Sequence, residues 1–227
     1  METQAYTPTN PIKIVTATSL FDGHDAAINI MRRILQDSGA EVIHIGHNRS
    51  VKEIVDAAIE EDAQGIAVSS YQGGHVEFFK YMVDLLKENR ADHILVFGGG
   101  GGVLIPADIK ELQDYGVKRI YSPEDGAGMG LQGMINDMIR SMDEAQSTDT
   151  QPNAGELTVD NKGETARYIS AIQAACSDGS GGLDSLTAQL SELNLDKHPP
   201  VIGLTGTGGA GKSSLVKGLI GLEPLTG

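Results

Sequence analysis

Short apolar runs alternate with helical patterns along most of the chain. "IKIVTAT" (12–18), "EVIHI" (41–45), "GIAVSS" (65–70), "HILVF" (93–97) and "VKRIY" (117–121) have the length and apolar content of buried strands. Between them lie amphipathic stretches. Residues 26–38 place Ile30, Ile34 and Leu35 at helical spacing, with Gly39 as a C-cap. Residues 50–61 open on Ser50, with Glu53 three residues on, which is a capping box. Residues 75–89 carry Phe79, Met82, Val83 and Leu86 on one face. Residues 106–115 begin at Pro106, and 129–142 complete the series.

Five βα units in succession imply a parallel sheet covered on both faces. Right-handed crossovers then give an α/β, flavodoxin-like, doubly wound sheet of order 2-1-3-4-5 over residues 12–142. Residues 1–11 are an N-terminal tail. Residues 143–198 read as a linker: 143–160 are polar and unpatterned, and 163–176 and 183–193 are helical. A new strand-loop-helix, an incomplete further domain, occupies 199–227.

Charge and composition narrow the partners. The formal net charge is -14 with a pI near 4.7, which argues against nucleic acid or an anionic membrane surface. Trp is absent and aromatics make up 4%, so a base-stacking platform is excluded. The lone Cys176 permits no internal disulfide and fits a reducing, cytoplasmic setting. The N-terminus lacks a signal-peptide pattern, and no apolar run reaches the ~18 residues of a membrane span.

In a doubly wound sheet the ligand sits outside the carboxyl ends of the strands. The loops there are "SLFDGHD", "SYQGG", "GGGGG" and "SPEDGAG", whereas the opposite edge has plain turns. Glycine lets backbone approach a ligand closely, so five in a row suggest a large, flat ligand pressed on main chain. Asp22-Gly23-His24 lies at the same edge. Alone, it reads most simply as a turn, with Asp25 capping the next helix. The functional reading is a ligating imidazole whose second nitrogen donates to a carboxylate. The other histidines form no metal-ligand spacing, so a protein-only zinc cage is not expected.

Asp22-x-His24, Ser69-Ser70-Tyr71 and Gly98-Gly99 together resemble the D-x-H-x-x-G, S-x-L, G-G signature of base-off, His-on cobalamin mutases. Two positions depart from it: Ala27 stands for glycine, and Tyr71 for leucine. The resemblance implies that His24 replaces the cofactor's own base beneath cobalt, with Asp22 orienting it. It implies that the displaced nucleotide tail enters a slot lined by Ser69, Ser70, Tyr71, Gly98, Gly99 and Ser122.

A second motif, Gly206-x-Gly208-Gly209-Ala210-Gly211-Lys212-Ser213-Ser214, follows the apolar run "VIGL" and fits a P-loop. Its amides would cradle phosphates, Lys212 would reach the β/γ-phosphates and Ser213 would ligate Mg²⁺. The 14 residues after Ser213 hold no Asp for Mg²⁺, no switch region and no base-reading motif, so this stretch by itself is not expected to hydrolyse nucleotide well.

A cobalamin-type domain, a helical connector and a P-loop in this order are similar to the N-terminal part of the fused isobutyryl-CoA mutase family. That resemblance implies adenosylcobalamin, GTP with Mg²⁺ assisting cofactor loading, and a radical rearrangement of isobutyryl-CoA and n-butyryl-CoA in a substrate barrel outside this chain. It also implies a homodimer and a cobalamin-delivering adenosyltransferase as partner. The alternatives are a non-catalytic cobalamin carrier or sensor, or a related acyl-CoA mutase. A flavin carrier lacks the glycine expected after strand 1, and a phospho-receiver lacks its Asp where Ser69 and Ser70 stand.

Overall fold

The computed structural model describes residues 4–146, 152–158, 160–178 and 182–193, with 205 and 207. Residues 1–190 form one compact unit and 191–227 a second. The first unit is built on β1 (Lys13–Ser19), β2 (Glu41–Arg49), β3 (Gly65–Ser69), β4 (Leu95–Gly99) and β5 (Arg119–Tyr121). These pair in parallel in the order β2-β1-β3-β4-β5, as the alternating pattern predicts.

The helices divide between two faces. α2 (Val51–Glu60), α3 (His75–Glu88) and α4 (Pro106–Tyr115) cover one. There Val15, Ile66, Val68 and Val96 meet Ile54, Phe79, Met82 and Leu112. α1 (Ala26–Asp37) and α5 (Pro123–Ala145) cover the other, where Ile14, Ala67 and Phe97 meet Ile28, Leu35, Ile135 and Ile139. The strand period of two sends alternate side chains to the two faces.

Local chemistry sets the ends. Ser50 and Glu53 make the expected capping box on α2. α5 begins at Pro123, six residues before the pattern at 129 suggests. Ser122 and Asp125 form a second capping box there, and Pro123 occupies the first turn, so "SPEDGAG" is helical rather than a loop. Gly130, at φ 69 and ψ 172, breaks the regular helix just where the amphipathic pattern resumes. On α1, Ile28 and Leu35 are buried, whereas Ile30 is exposed.

Two flanking segments pack on this unit. The N-terminal residues bind α5 through buried Asp143, which accepts from Tyr6 Oη (2.8 Å), the amides of Thr9 (2.8 Å) and Asn10 (3.0 Å), and Asn10 Nδ2 (2.8 Å). α6 (Lys162–Asp178) lies beside α2, tied by Lys162 to Glu60 and by Lys13 Nζ to Ser170 Oγ. α7 (Gly182–Glu192) follows, and Tyr168 Oη donates to the Leu186 carbonyl.

Candidate functional site

The loop after β1 is a tight turn closed by the Asp22 amide on the Ser19 carbonyl (3.2 Å). Its third residue, Phe21, takes φ 63, a region that β-carbons disfavour. Asn48 at the end of β2 holds it there by accepting the Phe21 amide at 2.8 Å. The turn delivers Asp22 inward and His24 outward. The Asp22 side chain is 0% exposed and that of His24 76%.

Asp22 Oδ1 accepts both the His24 amide and His24 Nδ1, each at 2.8 Å. Oδ2 accepts the Tyr71 amide from the loop after β3. Burial pushes the Asp22 carboxyl up, but the hydrogen bonds from Tyr71 and His24 outweigh it and hold the group below its ordinary pKa. An ionised carboxylate can only accept, so Nδ1 donates to Asp22 and Nε2 is the ring nitrogen left free for a ligand. The Tyr71 ring flanks the imidazole at 5.4 Å between centroids.

Beside this pair, a cavity of about 370 Å³ opens between α1 and α5 over the ends of β3, β4 and β5. Ser69, Tyr71, Gly98 to Gly101 and Ser122 line it, as do Ala27, Ile28, Met134 and Met138. Its wall at β5 is Tyr121, whose hydroxyl donates to Asp137 (2.7 Å), while Arg119 bridges Asp125 (2.9 Å) and Asp137 (3.2 Å). Burial and then Asp137 push the Tyr121 hydroxyl well above its usual range, so it stays a neutral donor.

The glycine run serves four different ends. A β-carbon on Gly98 would sit 2.5 Å from Phe79 Cζ and 2.6 Å from Ile120 Cδ1, so that glycine is required by the core on the α3 side. One on Gly99 would meet only the Tyr121 carbonyl at 3.4 Å, on the face toward the cavity. One on Gly100 would overlap the Ser70 carbonyl at 1.8 Å. Gly101 needs φ +57.

Ser69 and Ser70 also part company. Ser69 shares the cavity face with Ala67, whereas Ser70 is fully buried, donates its amide to the Gly99 carbonyl (2.8 Å) and bonds Ser19 Oγ (2.9 Å). Thr18 pairs with Ser69 across β1 and β3. Its Oγ1 is the one buried side-chain polar atom without a hydrogen-bond partner among the described residues.

Asn48, Thr18 and the α1/α5 wall carry no motif in the sequence. The one available signal is the glycine pair Gly126 and Gly128 in the first turns of α5, of which Gly126 lines the cavity. The P-loop residues Gly206, Gly208, Gly209, Ala210, Gly211, Lys212, Ser213 and Ser214 lie outside the described residues. Among the described residues no cluster of three metal-ligating side chains occurs, and no helix is long and apolar enough to cross a membrane.

This arrangement suits a cobalamin. An exposed imidazole is preset in one tautomer, and a cavity beside it is bounded by main chain at Gly99 and by Ser69 and Tyr71. Comparison with known proteins agrees. Residues 12–125 match the B12-binding domain family. The chain is 56% identical over 217 residues to fused isobutyryl-CoA mutase of Geobacillus kaustophilus, covering 95% of this chain and 20% of the relative. It is 55% identical to the fused isobutyryl-CoA mutase of Cupriavidus metallidurans, over 94% of this chain and 19% of the relative. It is 33% identical to the small subunit of 2-hydroxyisobutanoyl-CoA mutase from Aquincola tertiaricarbonis, over 48% of this chain and 79% of that subunit. The chain spans about a fifth of the length of the two fused relatives. It belongs to the B12-binding domain family.

Proposed function

We propose that this chain holds adenosylcobalamin for a mutase that interconverts isobutyryl-CoA and n-butyryl-CoA. The observation that carries the reading is the Asp22–His24 pair, joined through Tyr71 to the α1/α5 cavity that Tyr71 lines. His24 Nε2 would hold the cobalt of the cofactor, and Asp22 would fix the imidazole's tautomer and raise its basicity. Ser69, Tyr71, Gly99 and Ser122 line the slot for the nucleotide tail, with the backbone at Gly98 forming part of the same wall. Ser70 acts one step back, by holding the β3 loop against Ser19 and Gly99. Bound adenosylcobalamin would supply the radical chemistry of the rearrangement. The residues of this chain bind, orient and shield; the acyl-CoA is held by a barrel outside it.

Residues 206–214 belong to the start of a GTPase module that assists cofactor loading. Lys212 would contact the β/γ-phosphates, and Ser213 would bind Mg²⁺. In this reading 12–142 is the cobalamin domain, 143–198 the helical linker and 199–227 the opening of the GTPase. The full-length protein is a homodimer and receives its cofactor from an adenosyltransferase.

The test is spectroscopic. Titration with adenosylcobalamin is expected to give a base-off, His-on complex, and a complex that keeps the cofactor's own base on cobalt overturns the assignment. For the P-loop, GTP titration of a longer chain should lose affinity in Lys212→Ala; equal affinity rejects the phosphate site.

A further inference from the structure

A buried histidine lies outside the motifs. His75 opens α3, is 5% exposed, and has both ring nitrogens occupied. Nδ1 faces the Gln72 carbonyl at 3.1 Å, and Nε2 faces Asp108 Oδ2 at 2.9 Å. A carbonyl only accepts, so Nδ1 carries a proton. Nε2 then shares a second proton with Asp108, or accepts from it.

The two ends of this contact belong to different loops. Gln72 and His75 follow β3, beside Tyr71, whose amide holds Asp22. Asp108 sits in the first turn of α4, six residues after the glycine run ends at Gly102. These loops touch elsewhere too, through the Ser70 amide on the Gly99 carbonyl and the close approach of Gly100 to the Ser70 carbonyl. The His75–Asp108 contact is the side-chain bond that closes this double loop at its outer end. Hydrogen bonds in series fix one another's geometry, so a side-chain pair several links from a metal ligand can still act on that ligand's orientation.

We infer that His75 and Asp108 form a positioning pair, which sets the strength of His24 as a cobalt ligand through Gln72, Tyr71 and Asp22. The inference rests on the reading of His24 as that ligand. His75 touches no cofactor position and acts only through the loop.

The experiment compares the wild-type chain with His75→Phe, Asp108→Ala and Asp108→Asn. In Asp108→Asn a neutral His75 still donates from Nδ1 to Gln72 and accepts at Nε2 from the new amide, so the link survives. The readouts are adenosylcobalamin affinity, the electron paramagnetic resonance of bound cob(II)alamin in protein labelled with ¹⁵N-histidine, and melting temperature. His75→Phe and Asp108→Ala are expected to weaken affinity about tenfold, the lower end for outer partners of a metal ligand. They should also lose part of the histidine-nitrogen coupling, while Asp108→Asn stays near wild type. Wild-type affinity and coupling in Asp108→Ala, with or without a lower melting temperature, overturn the inference, since the pair then only stabilises the fold. If His75→Phe does not fold, Asp108→Ala against Asp108→Asn decides alone. A wild-type protein without histidine coupling overturns the reading of His24 instead, and the pair's role with it.

Discussion

His24 Nδ1 lies 2.8 Å from Asp22 Oδ1, yet the two side chains sit in opposite environments, the carboxylate sealed and the imidazole open to solvent. Removing either therefore has a different signature. His24→Ala is expected to leave the fold intact, because the ring buries little surface, and to abolish the His-on spectrum. Asp22→Asn should keep cobalamin binding but shift the spectrum, since an amide can no longer offer the charge that strengthens the imidazole. A wild-type spectrum in either variant removes that residue from its role.

The two motif glycines should separate stability from binding. Gly98→Ala drives a methyl into Phe79 and Ile120, and is expected to cost about 1–3 kcal/mol in chemical denaturation. Gly99→Ala meets no core side chain, so stability should change little, while adenosylcobalamin affinity falls because the methyl enters the cavity. Equal destabilisation by both would show that the run is needed for the core alone.

Gly100→Ala should be the most damaging of the three. Its β-carbon would overlap the Ser70 carbonyl, which is main chain and cannot swing away. Loss of soluble protein, or a melting temperature well below that of Gly98→Ala, is the expected result. Normal melting would mean that the loop has room to shift.

Asp143 makes stability fall in acid. Burial pushes its carboxyl up, but the hydrogen bonds from Thr9, Tyr6 and Asn10 hold the folded pKa at about 2, below the unfolded value. A depressed folded pKa contributes stability that is full above the unfolded value near 4 and is lost as pH falls toward 2. Asp143→Asn should abolish this part of the acid dependence and lower stability by about 2 kcal/mol at neutral pH. Urea titrations between pH 2 and 7 measure both effects. An unchanged acid limb would place the pH dependence elsewhere.

Much of the site is legible because each feature is local. A strand-turn-helix period fixes where loop ends fall, so it alone puts Asp22-x-His24, Ser69 and Gly99 at one edge. The capping box at Ser50 rests on two side chains three residues apart, and it forms as written. The one at Ser122 is just as local, but Gly126, Gly128 and Gly130 disguise it, since glycine-rich stretches usually read as loops.

The order of elements, the parallel sheet and the edge that carries the site follow from periodicity and chain crossover, and so are legible in the residues themselves. Tertiary structure alone decided which glycine faces the core and which faces the cavity, because that turns on Phe79 and Ile120 packing from distant elements. It also decided that Asn48 restrains Phe21, that Ile30 stays exposed while Ile28 and Leu35 go inward, and that His75 reaches Asp108. The Phe21–Asn48 and His75–Asp108 bonds join residues 27 and 33 positions apart, and no local pattern encodes such a pairing.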